Sequence, residues 1–301
     1  MTTQSRARRT TILNSVVDVL LGLWSGVRLL ARNRVGLLGL IGLVGFVLLA
    51  FVGPYIVPLD TKVKVTQIYA PLSWAHPLGT DSQGKDVWSQ IVHGGRDLII
   101  ISVAAALLST IIGASLGALS AVSGGWVDSA LMFLTDIWLT IPQLPLLIVL
   151  AAFIRVNNPL TLVLIIGLLS WPGLLRAVRS QVLAIKQSDY VEAARVLDLG
   201  TRHIIFREIL PNMMSYITIN FILGVTAAMG FQAALVFLGI VPLSGTNWGV
   251  MLQLAFTRGA IFSRDSFWYI MAPVLAISLF QLTLVALERG LAEVFNPRLR
   301  S

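Results

Sequence analysis

The chain has 301 residues, of which 56% are apolar and only 12% charged; a water-soluble domain carries roughly 25% charged residues, so the composition excludes an ordinary soluble fold. The net charge of +8 comes without a basic patch interleaved with aromatics, and the basic residues lie in connections between apolar runs, which excludes nucleic-acid binding in favour of membrane topology. With no cysteine there is neither a disulfide framework nor a thiolate metal site.

The tail, residues 1–34, is basic and holds an apolar patch, Ile12–Leu30, broken by Asn14, Asp18 and Arg28 and including Trp24. That pattern predicts an amphipathic helix lying in the membrane interface. The first apolar run beyond the tail is too long for a cleavable signal and lacks an A-x-A site. A first span is predicted over Val35–Val57, followed by an extracytoplasmic connection at 58–97. Further spans are expected at Leu98–Val122, Leu131–Ile154, Pro159–Leu175 (a short one), Tyr216–Leu238 and Phe267–Leu287, each near the ~20 residues a bilayer needs. The expected fold is all-α: a polytopic membrane protein with six transmembrane helices. Residues 98–287 form a five-helix core carrying a polar loop at 176–215, and residues 288–301 form a C-terminal tail.

An even number of spans puts both termini on one side. The tail has Arg6, Arg8, Arg9, Arg28, Arg32 and Arg34, the polar loop has Arg176, Arg179, Lys186, Arg195, Arg202 and Arg207, and the C-terminal tail has Arg289, Arg298 and Arg300. The other side has Lys62, Lys64, Lys85, Arg96, Arg155, Arg258 and Arg264, spread over longer connections. The positive-inside rule places both termini and the polar loop in the cytoplasm.

The loop contains EAARVLDLGTRHIIFREILPN, Glu192–Asn212, a charged stretch between apolar runs. Asp189 and Glu192 form a capping-box-like pair, so a helix starting near Tyr190 is predicted. Ala193 and Ala194 would keep one face thin enough for a partner's backbone to approach. Gly200 can take the left-handed conformation that ends such a helix. Thr201 can then cap a second helix, His203–Leu210, that stops at Pro211. By these features alone, an ordinary amphipathic loop is the favoured reading.

The order EAA, then a break, then Leu210-Pro211 resembles the cytoplasmic loop of ABC-importer permeases. The resemblance implies that the loop couples the spans to an ATPase subunit through Glu192, Ala193, Ala194, Asp198, Gly200, Leu210 and Pro211. Asp198 stands where that family usually has a glycine, and Gly200 is expected to take over the bend. Three more segments resemble C-type permeases of the dipeptide, oligopeptide and nickel branch: HPLGTDSQGKDVWSQIVHGGRDLI (His76–Ile99), GGWVDSALMFLTDIWLTIPQLPL (Gly124–Leu146) and the terminal LAEVFNPRLRS. Lys85, Gln90 and Phe133 replace arginines usual in that branch.

GTDSQGKD, Gly79–Asp86, nearly spells a phosphate-binding loop, but Asp86 stands where a Ser or Thr hydroxyl is needed and no strand precedes it. Gly79 and Gly84 are instead expected to shape turns. Of the polar residues inside apolar runs, Asn220, Gln232 and Gln281 could line a pathway or bridge helices, with Thr218 and Thr226 as weaker choices. Asp136 could face a cavity or, more simply, pair at the membrane edge. Gly224, Ala227, Ala228 and Gly230 allow the fifth span to pack closely. The resemblance also implies that Trp248–Phe256, within the loop Gly239–Ser266, returns partly into the membrane from outside.

The resemblance implies a non-enzymatic permease subunit of a binding-protein-dependent importer in the cell inner or plasma membrane. Its partners would be a homologous second permease, two ATP-binding subunits and an extracytoplasmic substrate-binding protein. ATP and magnesium would be bound by the ATPase subunits, with no cofactor, metal or catalytic residue on this chain. Peptides are the expected cargo, with oligosaccharides and nickel chelates as alternatives. An ion-driven secondary transporter would need intramembrane acids, broken helices and an internal repeat, for which only Asp136, Pro142 and Pro145 speak. A scaffold without transport would not need the loop.

Overall fold

Asn33 opens the first helix, α1 (Arg34–Phe51), by accepting the Gly36 amide on its Oδ1 at 2.8 Å. The computed structural model describes residues 33–154, 158–241 and 246–295, together with Leu30 and Val156. The amphipathic stretch expected over Ile12–Leu30 and the end of the C-terminal tail therefore lie outside the described residues. Among the described residues the chain is helical, with one isolated β-bridge between Thr80 and Asp86.

The helices are α1, α2 (Val87–Ser123), α3 (Gly125–Thr140), α4 (Gln143–Ile154), α5 (Pro159–Leu169) and α6 (Trp171–Ile185). They continue as α7 (Asp189–Val196), the joined turns Thr201–His203, Ile204–Ile209 and Leu210–Asn212 (together α8), α9 (Met214–Phe237), α10 (Trp248–Thr257) and α11 (Phe267–Phe295). Four of these, α1, α2, α9 and α11, are each long and apolar enough to cross a bilayer unbroken. Two bent pairs, α3 with α4 and α5 with α6, bring the number of spans to six if each pair is one crossing.

The bends differ from the straight spans expected at Leu131–Ile154 and Pro159–Leu175. α3 and α4 meet at 85°. Ile141 is extended at the break (φ −89°, ψ 122°), as the residue before Pro142 must tend to be, and Pro142 has no amide to continue the ladder. α5 and α6 meet at 42° around Ser170, with Pro172 in the first turn of α6. α6 runs on to Ile185, well past the expected end near Leu175, because Arg176 and Arg179 lower the hydropathy without breaking the helix.

α2 is 37 residues long and begins at Val87, so residues 87–97 are helix where a connection was expected. Asp86 caps it, its Oδ2 accepting the Ser89 amide at 2.7 Å. The preceding turn is built on Asp81, whose carboxylate accepts from the amides of Gln83 (2.7 Å) and Lys85 (2.9 Å) and from Gln90 Nε2 (2.9 Å). Gly79 and Gly84 have φ of +70° and +73°, and a Cβ on Gly84 would strike the Lys64 carbonyl. The segment is thus a set of turns sealing the start of α2, as expected of Gly79 and Gly84.

α1 lies against α11 along a seam of small residues. A Cβ on Gly39 would fall on the Leu287 backbone, one on Gly42 on the Thr283 side chain, and one on Gly290 on the Gly36 backbone. Asn33 Nδ2 donates to Glu293 Oε2 across the same seam. α11 extends past the expected Leu287 to Phe295. Trp248, at the start of α10, is fully buried, donates Nε1–H to Ile91 O at 2.8 Å, and lies over Gly94 and Gly95 of α2. Leu38, Phe133, Phe153 and Leu282 remain exposed on the outside, an apolar surface of the kind a bilayer accommodates.

Candidate functional site

The polar loop folds against the C-terminal half of α2. Ser188 precedes α7; its carbonyl accepts from Val191 (3.0 Å) and Glu192 (3.1 Å), while its hydroxyl donates to Ile185 O at 2.7 Å, fastening α7 to the end of α6. The helix therefore begins at Asp189, next to the expected Tyr190, with Asp189 and Glu192 in its first turn, where negative charge suits the helix N-terminus.

Val191 and Ala194 are buried in a cluster with Ala114, Ala118 and Ala121 of α2, Val178 and Val182 of α6, and Ile204, Ile205 and Ile209 of α8. Glu192 and Ala193 face outward. The alanine pair is thus divided: Ala193 is open to a partner, whereas Ala194 lets α7 approach its own core.

The bend is at Asp198. Its φ is +51°, and the Leu199 amide donates back to Ala194 O at 3.1 Å, the six-to-one bond of a Schellman cap. The expectation that Gly200 would supply the left-handed residue is corrected. Asp is among the few non-glycine residues that reach this conformation, and Leu199 tucks into the apolar cluster to hold the cap. Gly200 instead occupies the N-cap position of α8, and Thr201 is its first residue rather than its cap.

α8 also differs from the helix expected at His203–Leu210. It widens to a π-turn over Ile204–Ile209, where the Leu210 amide reaches back to Ile205 O, and it continues through Pro211 to Asn212. The wider turn accommodates Pro211 inside the helix; such π-turns are often found at functional positions. Val196 (81% exposed), Leu197 (69%) and Phe206 project outward beside Glu192, Asp198 and Arg202. One surface groove is lined by Leu183, Lys186, Gln187, Glu192 and Val196, and a second by Arg202, His203, Phe206 and Arg207.

Arg179 of α6 and Lys186 at its C-terminal cap fasten this region to α3 and α2. Arg179 grips Asp128 with both Nε and an Nη, each at 2.6 Å, and Ser120 Oγ donates to the same carboxylate. Lys186 Nζ donates to Ala121 O (2.8 Å) and Val122 O (3.3 Å), carbonyls at the C-terminal end of α2, where positive charge is favoured. The sequence reading treated these cations only as topology signals. Asp136 pairs with Arg176, both half-exposed, which agrees with pairing at an edge rather than a place in a pathway. Broken helices are present, and that acid has a cationic partner in Arg176.

A cavity of about 210 Å³ lies among α2, α4, α5, α6 and α9. Its polar lining is Ser109, Thr110, Gln143, Ser170 and Asn220. Of the three pathway residues expected from sequence, only Asn220 reaches it. Gln232 is fully buried and accepts from Ser102 Oγ at 3.3 Å, and Gln281 Nε2 reaches Thr226 O at 3.5 Å, so both bridge helices. The other lining residues were missed because Ser, Thr and Gln within apolar runs usually bond to neighbouring helices or to their own backbone. The two bends meet at this cavity: Gln143 Nε2 donates to Ser170 Oγ at 2.6 Å, Trp138 Nε1 donates to Leu169 O at 3.2 Å, and the Trp138 and Trp171 rings are 6.2 Å apart.

Residues 97–301, including the loop, the cavity and both bends, match the family model described as "binding-protein-dependent transport system inner membrane component". Residues 22–73 match the "N-terminal TM domain of oligopeptide transport permease C". A relative in Brucella suis is 33% identical over 89% of this chain and 88% of its own. The dipeptide transport system permease protein of Haemophilus influenzae is 32% identical over 89% of this chain and 92% of its own. The oligopeptide transport system permease protein of Bacillus subtilis is 30% identical over 93% and 91%. On these grounds the chain belongs to the multi-pass inner-membrane permeases of binding-protein-dependent ABC importers, in the branch that carries the oligopeptide permease C N-terminal domain.

Proposed function

We propose that this permease imports peptides in an ATP-driven complex with a second permease, two ATPase subunits and an extracytoplasmic binding protein. In this reading both termini and the polar loop are cytoplasmic, as the distribution of Lys and Arg indicates. ATP and magnesium act on the ATPase subunits, and this chain contributes pathway and linkage.

The observation that carries the reading is the build of the loop. The loop bends at Asp198 between α7 and α8, presents Glu192, Ala193, Val196 and Leu197 outward, and follows α6, which is tied by Arg179 to α3 and by Lys186 at its end to α2. An ATPase gripping that outward face moves a rigid lever whose inner side is continuous with the spans. ATP shifts the complex between inward-open and outward-open forms only if it stabilises one of them more than the other. Peptides are favoured as cargo because the similar permeases are named for dipeptide and oligopeptide transport. The cavity also lacks acidic or histidine side chains that would hold a metal chelate, and Phe231 is the one aromatic in its lining for a sugar to stack on.

The test is accumulation of labelled tripeptide in proteoliposomes containing the complete complex. Accumulation that requires ATP and the binding protein supports the proposal. Accumulation driven by a proton or sodium gradient without ATP contradicts it.

A further inference from the structure

Ser109 and Thr110 sit side by side on α2, only 7% and 8% exposed, and both line the 210 Å³ cavity. Neither hydroxyl has a hydrogen-bond partner among the described residues, and neither oxygen is sealed into the packing, so both can be reached from the cavity. Elsewhere in the same fold the threonines at 135, 218 and 226 bond back to carbonyls of their own helices. Across the cavity, Asn220 commits Nδ2 to Tyr216 O at 2.9 Å, leaving Oδ1 as an acceptor. Gln143 commits Nε2 to Ser170, leaving Oε1 as a second acceptor.

The unspent groups are therefore two hydroxyls that can donate, two carboxamide oxygens that can accept and the second N–H of each carboxamide, and no titratable side chain lines the cavity. A peptide bond presents one acceptor and one donor. We propose that this cavity is a subsite for a peptide-bond amide of the cargo, Ser109 and Thr110 donating to its carbonyl and Asn220 accepting its N–H. The inference rests on the peptide-importer reading above and adds to it the part of the cargo that is read.

The volume admits about one residue at a time, and Ala106, Gly224 and Ala227 leave room for the chain between the polar groups. A neutral site of this kind holds the backbone common to every peptide and is indifferent to the charge of its side chains, leaving side-chain selection to other surfaces. Gln143 has a positioning role: it lines the cavity and also braces the bends at Pro142 and Ser170.

The experiment measures ATP-dependent uptake by the full reconstituted complex of Ala-Ala-Ala, Ala-Glu-Ala and Ala-Lys-Ala, and of an Ala-Ala-Ala analogue with the central amide replaced by an ester. The paired substitution Ser109→Ala with Thr110→Val is expected to lower uptake of all three peptides about tenfold and to the same extent, the loss of roughly one hydrogen bond. Asn220→Leu is expected to lower uptake of the amide peptides but not of the ester, which has no central N–H. Thr110→Ser, which keeps the hydroxyl, should retain uptake. Unchanged uptake in the paired variant, a loss confined to one charge class, or an equal loss in Thr110→Ser would overturn the subsite while leaving the importer intact. If the wild-type complex accumulates maltotriose and no peptide, the peptide reading fails and the subsite with it.

Discussion

Arg179 holds Asp128 in a two-pronged ion pair, each contact 2.6 Å long, and so joins the helix that enters the polar loop to the first turn of α3. Both side chains are mostly shielded, at 26% and 20% exposure. Leaving one partner unpaired there is expected to cost about 1–3 kcal/mol. Arg179→Leu should lower the thermal midpoint of the detergent-solubilised protein and weaken the link between ATP hydrolysis and uptake. Adding Asp128→Leu should recover part of the midpoint. A single variant as stable as wild type would mean the pair does not hold these elements together.

Asp198 bends the loop with a left-handed backbone that glycine adopts more readily. Asp198→Gly should stabilise the cap by about 1 kcal/mol, the typical penalty removed when a side chain leaves this conformation. Asp198→Val should open it. Hydrogen exchange at the Leu199 amide, which donates to Ala194 O, reads this directly: slower with glycine and faster with valine. The same exchange rate in all three proteins would place the bend elsewhere.

Gly39 faces the backbone of Leu287 with no space for a Cβ. Gly39→Val should force α1 away from α11, with a destabilisation of about 1–3 kcal/mol, as for other overfilled contacts. Gly45, with nothing near its Cβ, provides the control, and Gly45→Val should be close to neutral in a detergent melt. Equal melting points for the two variants would rule out the tight seam.

Gln143 and Ser170 clasp the two broken spans together at 2.6 Å. Gln143→Leu removes the clasp without removing Pro142, so the bend should persist but with a wider spread of angles. Spin labels at Phe133 on α3 and Phe153 on α4, both exposed, should show a broader distance distribution in the variant. An unchanged distribution would mean that Trp138 and Pro142 fix the angle without Gln143.

The four unbroken spans and the two bent apolar pairs were legible because apolar length is the dominant signal in a membrane chain. What was illegible is where polar residues are satisfied by partners distant in sequence. Gln90 and Arg96 made residues 87–97 read as a connection, yet Gln90 bonds to Asp81 and Arg96 lies over the Phe51 ring at 5.7 Å. The 85° break was hinted at by Pro142 and Pro145, but the chain is apolar on both sides of them, so one straight span was read through it. In the loop, helix, bend and helix followed from the residues, but Gly200 drew attention from Asp198 because preference for glycine is a local rule and the cap is fixed by Leu199 packing. Asn220 stood out as an amide in an apolar span, whereas Ser109 and Thr110 became notable only once their hydroxyls were found facing a cavity.

The most direct measurement is peptide-stimulated ATP hydrolysis by the reconstituted complex with wild-type chain and with Glu192→Arg, alongside co-purification of the ATPase. Glu192 is exposed on α7 and lines the groove with Lys186 and Val196, so reversing its charge changes the gripping surface and not the core. The account predicts that wild-type hydrolysis rises with peptide and binding protein and that Glu192→Arg loses this response. Hydrolysis that ignores peptide in the wild type, or responds to it equally in the variant, would contradict a loop that carries force from the ATPase to the spans.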